Sequence, residues 1–192
     1  MKRGIYLSVF LLSGMLLFSA CKKKATLPPD EKEVIVPCSG PEYWTNKEVF
    51  RANAIGESYD QMTAKKKALS NARAELAASI STVLKGVTDN YVNSREFNNR
   101  EEVEERYESL NREVVNQELN GIRTICEKQV KTQEGKYKTY IAIELASEKL
   151  LEAYNERMQK LSREERMRID YDYEKFKQTF DREMEKFSQS RP

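Results

Sequence analysis

The chain has 192 residues, a third of them charged and only 9% aromatic, and it contains no histidine. Thirty-three basic side chains against 31 acidic ones leave no basic excess of the kind nucleic-acid binding requires. The missing histidine removes the commonest general base and the commonest zinc ligand. This length suits one domain with extensions, and this charge content suits a small core under long solvated helices.

Lys2 and Arg3 precede an apolar run at residues 5–18, and Ser19, Ala20 and Cys21 follow it. A basic start, a short apolar run and a small-residue exit describe a secretory signal peptide over residues 1–20. An uncleaved anchor is the alternative, but the run is shorter than the about 20 residues that a spanning helix needs. Leu17-Phe18-Ser19-Ala20-Cys21 resembles the lipobox of bacterial lipoproteins, with Phe18 where Leu is usual. The resemblance implies that the Cys21 thiol receives a diacylglyceryl group. Cleavage then makes Cys21 the N-terminus, and its amine is acylated by a palmitate-class chain.

Lys22, Lys23 and Lys24 come next, and at lipid headgroups each would contribute roughly 1 kcal/mol against an anionic surface. Lipoproteins with Asp after the cysteine stay in the inner membrane. Lys22 is not Asp, so the resemblance implies the outer membrane, and the basic run points to its periplasmic face. From Cys21 onward the chain has 31 basic and 31 acidic side chains.

Residues 21–43 read as a lipidated tether rich in Lys, Glu and Pro, with an edge-strand signal at Glu33-Val34-Ile35-Val36. A domain over 44–150 follows. Residues 49–58 alternate, with Phe50, Ala52 and Ala54 on one face, and Gly56 closes the strand. Ser58 and Gln61 match a capping box that opens a long helix. Its stripe is Met62, Leu69, Ala72, Leu76, Ile80, Val83, Val87 and Tyr91, opposite Lys66, Arg73 and Lys85. Residues 93–102 read as a loop, and Val103, Tyr107, Leu110 and Val114 mark a second helix.

Residues 121–145 alternate on both sides of Thr132-Gln133-Glu134-Gly135-Lys136 and predict a β-hairpin. On its first strand Ile122, Thr124, Cys126, Lys128 and Val130 share one face. Ser147 is read as the cap of a helix carrying Leu150, Leu151, Tyr154, Met158 and Leu161. A capping box of Ser162 and Glu165 then restarts the helical tail at 151–192. Along the tail Ile169, Tyr173, Phe176, Phe180, Met184 and Phe187 repeat every three or four residues. That stripe has three candidate occupants: the chain's own domain, a partner helix in a homo-oligomer or envelope protein, or a membrane. The mixed charges of the opposite face make the membrane the weakest of the three.

The fold class is thus α+β: a three-stranded antiparallel sheet packed by a long helix, with an extended amphipathic C-terminal helix. Cys38 and Cys126 are an even pair once Cys21 is acylated, and an oxidising compartment would permit their bond. Two separate small residues remain the alternative, because sequence does not place their Cα atoms.

Phe50-Arg51-Ala52, Gly56, Ala74-Glu75-Leu76-Ala77-Ala78-Ser79-Ile80 and the strand ending in Ile141-Ala142-Ile143-Glu144-Leu145 resemble the LPP-twenty (twenty-kilodalton) bacterial lipoprotein family. Its domain is similar to the amino-terminal domain of flagellar assembly protein T. The likeness covers residues 44–150 and implies a dodecin-like β-α-β-β fold and an envelope location only, since the family carries no agreed biochemical activity.

No cofactor, metal or catalytic site is read from the chain. Cys126 lacks a histidine partner and sits in mid-strand. Gly135-Lys136 lacks the rest of a phosphate loop. Residues 170–174, Asp-Tyr-Asp-Tyr-Glu, would scatter their carboxylates around a helix and lack a calcium-loop glycine. The expectation is a non-enzymatic, lipid-anchored envelope protein acting as a structural or interaction module. A small-ligand-binding periplasmic domain, with its ligand between sheet and helix, is the alternative.

Overall fold

The computed structural model describes residue 32 and residues 34–190. Cys21, the lysines after it and residues 1–20 lie outside the described residues. Val36–Pro192 form one compact unit. Its elements are β1 (Val49–Ser58), α1 (Gln61–Asn93), α2 (Arg100–Glu118), β2 (Arg123–Lys131), β3 (Tyr137–Ala146), α3 (Ser147–Lys160), α4 (Arg163–Ile169) and α5 (Tyr173–Gln189). The three strands form one antiparallel sheet in the order β1-β3-β2.

One face of the sheet carries Phe50, Ala52, Ile141, Ile143 and Leu145, all buried. The first half of α1 lies on it, and the small residues make the approach close. A Cβ at Gly56 would collide with the Ala64 carbonyl oxygen and the Ala68 nitrogen, so only glycine fits there. Ala64, Ala68 and Ala72 are each 0% exposed, whereas Met62 is 60% exposed. The row facing the sheet therefore starts at Ala64, and Met62 is off it. The strand also continues past Gly56 to Ser58.

The cap of α1 is Asp60, whose side chain accepts from the Thr63 N–H at 2.7 Å; the Ser58–Gln61 capping box does not form. Gln61 instead donates across to Gln129 on β2 at 2.6 Å. At α3 the cap position is Ala146. Ser147 is the first helical residue, and its hydroxyl donates to the Glu48 carbonyl at 2.8 Å. The Ser162–Glu165 capping box does form, in both directions.

Beyond the sheet, the second half of α1 packs among the remaining helices. Val103, Tyr107, Leu110 and Val114 of α2 are buried, as are Leu150, Tyr154 and Met158 of α3. The expected boundary at residue 150 falls inside α3, and the buried apolar residues after it belong to the same hydrophobic core.

The tail stripe has its occupant within the chain. Ile169, Phe176, Phe180 and Met184 are buried, and Tyr173 and Phe187 pack partly buried on the same core. A partner held through these six residues would first have to displace them from the chain's own core. The tail is also not one continuous helix. Asp170 takes a left-handed conformation, φ 45°, which Asp tolerates better than most residues. Asp172 then caps α5 by accepting from the Lys175 N–H. The Tyr91 hydroxyl holds the break, donating to the Asp170 carbonyl at 2.9 Å and accepting from the Asp172 N–H at 2.6 Å.

Candidate interaction face

Among the described residues no α-helix packs on the sheet's other face. Register across the three strands arranges it in four rows: Arg51-Glu144-Arg123, Asn53-Ala142-Cys126, Ile55-Tyr140-Lys128 and Glu57-Lys138-Val130. The register shifts between Thr124 and Cys126, so Ile125 is an extra residue on β2. A bulge of this kind turns the strand by one position. Thr124 therefore faces α1 together with Glu127 and Gln129, which bond to Lys65 and Gln61. Cys126, Lys128 and Val130 face outward, with Arg123. The unbroken alternation expected from residue 122 to residue 130 thus splits at the bulge.

A strap of chain covers two of the rows. Cys38 and Cys126 are joined by a disulfide, with Cα atoms 5.6 Å apart and a sequence separation of 88. The chain reverses at Pro37 and Cys38, where Cys38 has φ 60°. The domain unit accordingly begins at Val36 rather than near Trp44. Val34 and Ile35 form no strand and are 81% and 89% exposed. Beneath the strap Ala142 is 0% exposed.

Further along the strap, Thr45 works as a one-residue strand. Its hydroxyl accepts from the Arg51 N–H at 2.9 Å and donates to the Arg51 carbonyl at 3.0 Å. Asn71 and Lys67 donate to the carbonyls of Ile55 and Glu57. Together these side chains satisfy much of the β1 edge, which would otherwise invite pairing.

The first row is a charge cluster. Arg51 donates to Glu144 at 3.0 Å, and Arg123 bonds the second Glu144 oxygen. Burial pushes the Glu144 carboxyl up, but the hydrogen bonds from Arg123 and Arg51 outweigh it and hold the group below the ordinary carboxylate range. Two cations on one carboxylate leave a positive remainder. Glu57 is likewise shared, by Lys136 at 3.3 Å and Lys138 at 3.4 Å.

The two remaining rows are open. Ile55 is 42% exposed and Val130 45%. Tyr140 lies half-buried between them, and Lys128 is exposed.

At the far end of the molecule a groove of about 720 Å³ lies between α2 and α4. Phe97, Val103 and Ile169 give it apolar walls. Glu96, Glu102, Glu105, Glu165 and Asp170 outnumber Arg106 and Arg168. Two ion pairs, Arg106–Glu165 and Arg168–Glu102, link α2 to α4 at 3.2 and 3.3 Å. The ligand cleft expected between sheet and helix is instead filled by Ala64, Ala68, Phe50, Ile141 and Ile143. Among the described residues no cluster of three or more His, Cys, Asp or Glu could hold a metal, and no helix is long and apolar enough to cross a membrane.

Neither the protein-family models nor the curated proteins compared with this chain give a match.

Proposed function

We propose that this chain is a lipid-anchored lipoprotein of the bacterial cell envelope, held at the periplasmic face of the outer membrane through Cys21 and acting without catalysis as a structural or interaction module. The observation that carries the reading is residues 17–24: an apolar run, small Ser19 and Ala20, Cys21, then three lysines. The Cys38–Cys126 bond supports it, because disulfides persist in oxidising compartments and are rare in the cytosol. The resemblance of residues 44–150 to the LPP-twenty lipoproteins, which rests on the quoted residues and not on a family-model match, would imply the same address. As a module the domain has rigidity to offer: a stapled strap, a close-packed sheet and helix, and a tail locked onto its own core.

Labelling cells with a radioactive fatty acid tests the anchor. The reading expects label in the wild-type band, sedimenting with outer-membrane vesicles, and none in a Cys21→Ser variant. Label that survives the substitution, or a wild-type band without label, contradicts it.

A second reading, a small-ligand-binding domain, is favoured by the α2–α4 groove, whose volume suits a small molecule. Its excess of carboxylates selects a cationic ligand. The test is a thermal-shift screen of polyamines and basic amino acids: a rise in Tm lost in Glu105→Gln supports it, and no shift across the screen removes it.

A further inference from the structure

The exposed large apolar side chains are not spread evenly. Among the described residues of the domain, Trp44 on the strap and Ile55 and Val130 on the outward sheet face are exposed, as is Tyr59 in the turn before α1, whereas Met167 is the exposed large apolar residue of α4. The same outward sheet face carries Arg51, Arg123, Lys128 and Lys138 against Glu57 and Glu144. Lys128 has no ion-pair partner among the described residues. Apolar side chains ringed by a cationic excess are the chemistry of an anionic bilayer surface.

Connectivity selects the same face. The disulfide fixes Cys38 onto it at Cys126, so the domain's first residues, Val36 to Cys38, are held at this face. Fourteen residues separate Cys21 from Val36, and a chain of that length has a root-mean-square reach of about 20 Å. The 33 residues of α1 run about 50 Å from the sheet to the acidic groove. A lipid anchor on this tether therefore keeps the basic sheet face near the headgroups and holds the acidic end away from them.

We propose that the open part of the outward sheet face, Ile55, Tyr140, Lys128, Lys138 and Val130, is a second membrane-contact site that docks on anionic phospholipid. This rests on the reading of Cys21 as the anchor. The lipid would then tether the domain while the face sets its orientation, with the strap disulfide as the joint between the two.

The test uses the mature chain from residue 21 with Cys21→Ser, so that no acyl chain contributes. Partition is measured on vesicles of phosphatidylglycerol and phosphatidylethanolamine, against vesicles of phosphatidylcholine alone. Trp44, the one tryptophan, reports contact through quenching by brominated lipid. We expect binding to the anionic vesicles only, weakened about tenfold or more by Lys128→Glu with Val130→Asp, since each basic residue near such a surface is worth about a fivefold change. Ile55→Glu, on a different strand, should also weaken it, and Lys85→Glu, away from the sheet, should leave it unchanged. Circular dichroism and thiol counts confirm that each variant is folded and bonded.

Equal partition of the wild type and both face variants overturns the proposal, as does binding lost only when Lys22, Lys23 and Lys24 are replaced by Gln. A change in oligomeric state without a change in partition assigns the face to a second copy and also overturns it. Failure of the anchor reading would appear separately, as an unlabelled Cys21 in cells.

Discussion

The sheet end and the helical end of this domain bury their side chains by different means. At the sheet, Gly56, Ala64, Ala68 and Ala72 bring a helix backbone almost onto a strand, and little side-chain volume lies between them. At the helical end Tyr91, Tyr107, Tyr154 and Phe176 fill a wide space with rings. Tyr154 stacks on Phe176 at 4.5 Å, and Tyr91 meets Tyr107 edge-on at 5.9 Å. The first region is held by shape and by a covalent staple. The second is held by aromatic area and by tyrosine hydroxyls that bond the backbone of the α4–α5 break. The surfaces differ too: cations and apolar side chains crowd the sheet, and carboxylates crowd the groove.

This contrast can be broken at either end. The largest effect should come from the staple. Replacing Cys38 and Cys126 together by Ser should cost about 4–5 kcal/mol in chemical denaturation, because the bond closes a long loop in the unfolded chain. Hydrogen exchange should rise first in the strap and β2, with α5 still protected. Early exchange in α5 would mean that the two ends are one cooperative unit.

Phe176→Ala should cost about 4 kcal/mol, since it empties the centre of the aromatic cluster. It should loosen α5 and α4 while leaving the disulfide and the hairpin intact by NMR.

Glu144→Gln should cost about 2 kcal/mol, because it strips a mostly buried carboxylate of two charged hydrogen bonds. The sign with pH follows from the lowered Glu144 value. The unfolded carboxyl binds its proton first as pH falls, so this stability is present above about pH 4.5 and is lost below it, through the folded-state value. Urea midpoints of wild type and variant should converge in that acid range. A gap that stays constant with pH would rule out the charge as the cause.

The helical end should fail at the other extreme of pH. Burial pushes Tyr107, Tyr154 and Tyr171 above the ordinary tyrosine value. Their contribution is complete below about pH 10 and is lost as pH rises through the folded values. Helical ellipticity should therefore fall together with the rise in tyrosinate absorbance.

The smallest effect is expected at the α5 cap, where Asp172→Ala should cost about 1 kcal/mol. A much larger loss would show that the break between α4 and α5 matters more than its single cap.

Much of the fold was legible in the sequence, because burial on one face writes a period into it. The hairpin at 121–145, the alternation of β1 and the apolar row of α2 are all of this kind. What stayed hidden lacks such a mark. The bulge at Ile125 inserts one residue into an edge strand whose side chains are mostly exposed, so no apolar residue registers the slip. Ala64 and Ala68 read as neutral helix formers beside the bulkier Met62, although contact with the sheet demands small residues. The break at Asp170 is concealed because Ile169, Tyr173 and Phe176 keep helical spacing across it, and the group that stabilises it, the Tyr91 hydroxyl, is distant in the chain. The outward sheet face could not be read either, since its rows exist only once three strands are in register. Local signals were also misassigned at caps. Ser58 and Ser147 have the right side chain, but Asp60 stands at the cap position of α1, and the Glu48 carbonyl engages the Ser147 hydroxyl.

We propose that a lipid on Cys21 and the bond between Cys38 and Cys126 together fix this domain at a membrane. The most direct measurement is the intact mass of the protein purified from membranes, before and after reduction. We expect a chain that begins at Cys21, carries three acyl groups and gains two hydrogens when reduced. A chain that retains residues 1–20, or one whose mass does not change on reduction, would contradict it.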